Sequence, residues 1–261
     1  MIVSESNKKY IKQFMIDLVQ SLINKVQGKE KQLRDEARKP LMILGPSAVG
    51  KDTMINRLKK KYPNVVYKLP SYTTRQKREG EIEGVDYYFV TKEEFQIMRD
   101  KGCLFGIQEY NKNYYASNRD KLKEVMANKN RIIILNYNIE TANSVKEVMD
   151  FNYVAILPPS EGELQKRLIK RGTKEEEIKK RMENSIREMQ LINEANYIKF
   201  RMINNDEETA FKKLEDQLKR WYPFLQEEMM KEWERKKLRA KHDVVTLKKQ
   251  KSVITSYLPI Y

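Results

Sequence analysis

The stretch "LMILGPSAVGKDT", Leu41 to Thr53, constrains the fold of this chain more than any other segment. Its first four residues are apolar and read as a short buried strand. The spacing G-x-x-x-x-G-K follows in Gly45, Gly50 and Lys51, and "KDTMINRLKKKY" then reads as a helix. The glycines permit a tight loop whose backbone N–H groups converge on an anion, and the helix start adds a favourable dipole. Lys51 is placed to reach the outer phosphates of a nucleotide. Gly45, Pro46, Ser47, Ala48, Val49, Gly50, Lys51, Asp52 and Thr53 therefore form the expected phosphate loop. The residue after the lysine is usually Ser or Thr, whose hydroxyl holds magnesium; here it is Asp52, with Thr53 one place late. Two readings of Asp52 stand: a magnesium ligand, direct or through water, or an acid in the first helical turn pointing to solvent.

Strand and helix signals alternate from about Pro40 to Pro223. Strands are expected near "NVVYKL", "DYYFV", "CLFGIQEY", "RIIILNYN", "NYVAILP" and "KFRMIN". Helices are expected in "KEEFQIMRDK", "RDKLKEVMANK", "TANSVKEVMD", "EGELQKRLIKR" and "EETAFKKLEDQLKRW". Apolar strands alternating with helices predict an α/β fold, a parallel sheet covered by helices. The close spacing of "DYYFV" and "CLFGIQEYNKNYYAS" suggests a small antiparallel insertion. Residues 1–39 carry Ile11, Phe14, Met15, Leu18, Leu22, Ile23 and Val26 at helical spacing, an amphipathic extension. Residues 224–261 form a second extension, helical and basic at first, then an irregular tail ending "SYLPIY".

The 261 residues carry a net charge of +15, which favours an anionic partner: nucleotide, nucleic acid, acidic protein surface or acidic lipid. No helix-turn-helix, zinc-finger or aromatic–basic sheet signature points to nucleic acid. The single Cys103 forms no intramolecular disulfide and fits a reducing, cytoplasmic setting, and His242 is too solitary for a zinc site. No apolar run has the length of a membrane span.

Residues 71–90 read "SYTTRQKREGEIEGVDYYFV". Arg75 and Arg78 form a fork suited to gripping a phosphate. The hydroxyls of Tyr87 and of Tyr115, in "NKNYYAS", would complete the clamp. This stretch resembles the guanylate kinase signature S-x-T-T-R-x-x-R-x-G-E-x-x-G-x-D-Y-x-F-V. The glycine loop before it and "NYYAS" and "LQKRLIKRGTKEEEIKKRM" after it lie at the family distances, so the resemblance spans about Leu41 to Trp221. It implies the P-loop nucleoside-monophosphate kinase fold, with core, helical lid and acceptor-binding part. Ser71, Arg75, Arg78, Glu81, Tyr87, Tyr115 and Ser117 would then line the acceptor site. The loop 45–53 would hold ATP with Mg2+, with Asn205 near the adenine, and Arg171 and Arg181 would close over the transferring phosphate. Phosphoryl transfer relies on positioning and charge neutralisation, which is what such a residue set supplies.

Three positions depart from the family pattern. The glutamate that reads guanine in the family corresponds to Gly106, and Glu109, three residues on, falls on the other strand face unless a bulge intervenes. Asn136 and Asn138 stand where the family has D-x-D, and Asp52 replaces a neutral residue. Two functions follow. The first is an ATP-dependent nucleoside-monophosphate kinase acting on GMP or a related acceptor, with altered base preference. The second is a guanylate kinase-like binding or structural module. The two extensions would suit an acidic protein partner in a larger assembly, cytoskeletal or ciliary for example.

Overall fold

The four residues Leu41–Leu44 are fully buried and form β1, the middle of the main sheet. The computed structural model of the chain describes residues 37–231 apart from 111, 129, 148 and 229, together with 25, 27, 28 and 35. The amphipathic stripe from Ile11 to Ile23, with Val26, and the tail beyond residue 231 lie outside the described residues.

After β1 come α1 (Lys51–Lys61), β2 (Val66–Lys68), β3 (Ser71–Thr73), β4 (Tyr87–Phe89), α2 (Lys92–Asp100), β5 (Leu104–Tyr110) and β6 (Asn113–Asn118). There follow α3 (Arg119–Met126), β7 (Ile132–Asn136), α4 (Ile139–Val145), β8 (Asn152–Leu157), α5 (Glu161–Lys170), α6 (Glu175–Glu194), β9 (Phe200–Ile203) and α7 (Glu207–Trp221). The main sheet has the order β2-β7-β1-β8-β9, and every pairing is parallel.

Successive strand residues point to opposite faces, so a strand covered on both sides reads as an unbroken apolar run. β1 does this. Leu41 and Ile43 pack with Met54 and Leu58 of α1, Leu164 and Leu168 of α5, and Leu214, Leu218 and Trp221 of α7. Met42 and Leu44 pack with Leu122 and Val125 of α3, Ile139 and Ala142 of α4, and Ile192 of α6. The packing continues past α7: Tyr222 and Leu225 are buried in the first of these clusters. The Tyr222 hydroxyl donates to the Lys39 carbonyl at 2.8 Å, which ties the two ends of the domain together.

The second sheet has the order β4-β3-β6-β5. It is mixed rather than antiparallel throughout. β3 and β4 run parallel, Ser71 opposite Tyr87, whereas β3–β6 and β5–β6 are antiparallel. The loop between Thr73 and Tyr87 is long enough to bring the chain back in the same direction, and Glu81 and Asp86 brace it through backbone N–H groups. The segment from Glu175 that resembles a lid is the start of a 20-residue helix, α6, with three acids in its first turn, where the helix dipole favours them. Among the described residues no helix is long and apolar enough to cross a membrane.

Candidate active site

A cavity of about 730 Å³ opens at the carboxyl ends of β1 and β7, the end of a parallel sheet where ligands bind. One wall is the glycine loop. Gly50 is the N-cap of α1, adopts φ +105°, and leaves the helix start without a side-chain cap. The first N–H groups of α1 thus have no side-chain cap among the described residues and are free of intrahelical partners, as at any helix start. A Cβ on Gly50 would lie 2.5 Å from Asn204 Nδ2, so the loop requires glycine there for space as well as for φ.

The loop is held from behind. Asn204, buried at the end of β9, donates from Nδ2 to the Val49 carbonyl at 2.8 Å. Arg167 of α5 donates to the Asn204 carbonyl at 2.9 Å and reaches Val49 O at 3.5 Å. Lys51 donates to the carbonyls of Gly45 and, at 3.0 Å, Pro46. Burial pulls the Lys51 pKa down; the negative charges of Glu188 and Asp52 oppose this, and Arg171 adds to it.

The facing wall comes from the second sheet. Arg78, Tyr87, Gln108, Glu109 and Tyr115 line it. The rings of Tyr87 and Tyr115 meet edge to face at 5.9 Å. Burial raises the Tyr87 pKa, and Asp52 across the cleft raises it further, so its hydroxyl stays a hydrogen-bond donor. Arg75 stands behind this wall. Its Nη2 donates to Glu81 Oε1 at 2.6 Å, and the guanidinium lies over the Tyr87 ring at 5.4 Å. The Arg75 hydrogen bond depresses the Glu81 pKa, and the Glu81 Oε2 also accepts the Arg78 N–H at 2.8 Å. Glu81 therefore organises the arginine fork from beneath.

The roof is α6 and the end of α5, which contribute Arg171, Arg181, Asn184, Arg187 and Glu188. Thus Gly45 to Asp52, Arg78, Tyr87, Tyr115, Arg171 and Arg181 converge on one cavity. Thr53, Ser71, Arg75, Glu81, Ser117 and Asn205 do not line it. Ser117 is buried, and its hydroxyl accepts from Tyr137, itself buried. Asn205 is exposed, and its neighbour Asn204 holds the loop instead.

The floor shows what became of the departures. β5 carries a bulge between Phe105 and Gln108, with Gly106 at φ +59°. The bulge brings Gln108 opposite Tyr115 and leaves Glu109 opposite Tyr114. Gln108 thus shares the face of Tyr115, and Glu109 reaches the cavity only at its exposed rim. Gly106 is not an open place for a larger side chain: a Cβ there would lie 2.7 Å from the Tyr137 ring. Asn136 donates to Asp52 Oδ1 at 3.1 Å, and Asn138 caps α4 by accepting the Thr141 N–H at 2.8 Å.

Sequence reasoning missed Arg167, Asn204, Gln108, Tyr137 and Glu188. A signal existed for one: Arg181, Asn184, Ser185 and Glu188 recur at helical spacing, so one functional residue on α6 implied the others on its face.

The guanylate kinase family profile matches residues 37–221. The chain belongs to the guanylate kinase family. It is 35% identical over 176 residues to the guanylate kinase of Desulfitobacterium hafniense (strain Y51), covering 67% of this chain and 86% of that one. With the guanylate kinase of Synechococcus sp. (strain CC9311) the identity is 35% over 182 residues, or 69% of this chain and 93% of the relative. The crystal structure of guanylate kinase from Anaplasma phagocytophilum superposes with a TM-score of 0.52 at 25% identity, covering 69% of this chain and 84% of that one. The family match spans the P-loop sheet, the mixed second sheet and the roof; residues 1–36 and 222–261 lie outside it.

Proposed function

We propose that this chain transfers the terminal phosphoryl group of ATP to a nucleoside monophosphate, GMP or a near relative. The observation that carries this is the shared cavity: a glycine loop with Lys51 on one wall, Arg78 with the Tyr87–Tyr115 pair on the other, and Arg171 and Arg181 above. The two walls are close enough for Asp52 to act on the Tyr87 hydroxyl. Donor and acceptor phosphates placed on the two walls would meet between cations, which is the arrangement that in-line transfer needs. A roof closed over the phosphates would exclude water, the competing acceptor.

The residues present also fit magnesium. Asp52 offers an exposed carboxylate at the cavity, steadied by Asn136. Among the described residues no cluster of three or more acidic, His or Cys side chains could cage a metal. A magnesium ion here would complete its shell with phosphate oxygens and water, as it commonly does. When bound, it neutralises charge on the transferring phosphates.

The base-reading floor is made of amides, Gln108 and Asn136, together with Tyr137, whose hydroxyl donates to Ser117 behind it. We read it as weakening selection for guanine, because a neutral amide grips two ring donors less firmly than a carboxylate does. The test is a coupled ADP-release assay with ATP and magnesium against GMP, dGMP, AMP, CMP and UMP, with Lys51→Met as control. Turnover on one or two purine acceptors, lost in the control, is expected. Well-folded protein with no turnover above the control would overturn the proposal and favour a binding module.

A further inference from the structure

Three amide side chains line the cavity on its floor side: Gln108 and Asn136, and with them Asn138. An amide carries a donor end and an acceptor end, and a half-turn of the side chain exchanges them. In two of the three, the partner permits one orientation only. Asn136 is held by Asp52 Oδ1 at 3.1 Å, and a carboxylate only accepts, so the end it holds is Nδ2. The end of Asn136 with no partner among the described residues is therefore Oδ1, an acceptor. Asn138 is held by the Thr141 backbone N–H at 2.8 Å, which only donates, so the end it holds is Oδ1. The end of Asn138 left over is Nδ2, a donor. Gln108 has the same sense as Asn138: its Oε1 accepts from Thr141 Oγ1 at 3.3 Å, and its nitrogen is left over. Thr141 is buried and does not line the cavity, yet it pins two of the three amides, one through its backbone and one through its hydroxyl.

The floor thus offers donors and an acceptor in fixed places, without charge. A carboxylate would offer acceptors alone. Gly106 cannot supply one, because a Cβ there would lie 2.7 Å from the Tyr137 ring. Glu140, the carboxylate at the start of α4, is paired with Arg187 at 3.4 Å. Guanine carries O6 as an acceptor, and N1–H and the 2-amino group as donors. A carboxylate suits the two donors. A fixed donor beside a fixed acceptor suits O6 and N1–H, an edge that hypoxanthine shares.

We propose that this amide floor reads the O6 and N1–H edge of a 6-oxopurine and leaves the 2-amino group unread, so that GMP and IMP are equivalent acceptors. Asn138 Nδ2, with Gln108 Nε2, donates to O6, and Asn136 Oδ1 accepts from N1–H. Adenine has an amino group in place of O6 and no proton on N1. Both contacts then set donor against donor and acceptor against acceptor, so AMP is rejected. The inference rests on the reading of the cavity as a site of phosphoryl transfer to a nucleoside monophosphate.

The experiment is coupled ADP release by the full chain with ATP and magnesium, comparing kcat/KM for GMP, IMP and AMP. For the wild type, GMP and IMP are expected to agree within about threefold and AMP to be at least roughly tenfold poorer. This comparison needs no variant. Asn138→Asp keeps the helix cap, since Asp and Asn serve equally well there, and replaces the free donor by an acceptor. It should lower GMP and IMP together and raise AMP relative to both by about tenfold, the worth of one hydrogen bond. A merely structural role would lower all three alike, and an unchanged ratio of AMP to IMP would overturn the inference. So would a wild type that prefers GMP to IMP by tenfold or more, which would place a carboxylate elsewhere in the cavity on the 2-amino group, or one that prefers AMP. In each of these cases turnover itself leaves the phosphoryl-transfer reading standing. Well-folded protein with no turnover on any of the three would overturn both.

Discussion

Replacing Gly106 by alanine should be costly although it adds a single methyl group. The residue sits in the β5 bulge at φ +59°, where a side chain with Cβ costs about 1–2 kcal/mol. The new Cβ would approach Cε2, Cζ and the hydroxyl oxygen of Tyr137 to 2.7 Å, so the ring must move. Tyr137 is buried, and its hydroxyl donates to the buried Ser117. Breaking that bond adds about 1–3 kcal/mol. The total is about 2–5 kcal/mol, which for a domain of this size lowers the melting temperature by roughly 4–20 °C. Thermal unfolding followed by circular dichroism measures it directly. Pairing the change with Tyr137→Ala, which removes the obstructing ring, should cost less than the sum of the two single changes. A Gly106→Ala protein that melts with the wild type would refute the reasoning. By the same geometry Gly106→Glu should destabilise the domain rather than install a guanine-reading carboxylate.

Three further outcomes are expected. Asn204→Ala leaves the Val49 carbonyl without its 2.8 Å donor, so it should cost about 1–2 kcal/mol and raise the KM for ATP several-fold while leaving the acceptor KM nearly unchanged. Burial acts to raise the Glu215 pKa, but hydrogen bonds from Lys61, Tyr62 and Lys219 outweigh it and the net shift is downward. The unfolded chain therefore binds the proton more readily, and the stability from this cluster, present above the ordinary carboxylate range, is lost as pH falls through the depressed folded value. Melting curves of Glu215→Gln and wild type should accordingly differ at neutral pH and converge in acid; a gap independent of pH would count against the assignment. Thr91→Ala removes one half of a capping box in which Thr91 Oγ1 accepts the Glu94 N–H at 3.1 Å and the Glu94 carboxylate accepts the Thr91 N–H at 2.7 Å. It should cost about 1 kcal/mol in melting experiments without altering turnover.

What could be read from the sequence was what short-range physics writes there. Leu41–Leu44 must be a buried strand because both its faces are apolar. Gly45, Gly50 and Lys51 then fix a phosphate loop within a few residues, with no knowledge of the remaining chain. Arg78, Tyr87 and Tyr115, picked out through their family spacing, line one cavity, whereas Arg75, read with them, stands behind the wall on Glu81. Arg167 and Asn204 were not, because they reach the Val49 carbonyl across 118 and 155 residues, a contact that exists only once α5 and β9 have packed. The parallel pairing of β3 with β4 was hidden for the same reason. It depends on how the loop between them returns, and three-residue strands are too short to carry a period. The floor lies between these cases. A glycine inside the apolar run "CLFGIQEY" is itself a signal of a bulge, and a bulge reverses which later residues share a face. Taken as a regular strand, the segment made Gly106 a lost contact. With the bulge counted, Gly106 becomes the hinge that seats Tyr137 and turns Gln108 to the side of Tyr115, so the altered floor is a packed alternative and not a vacant copy of the family pattern.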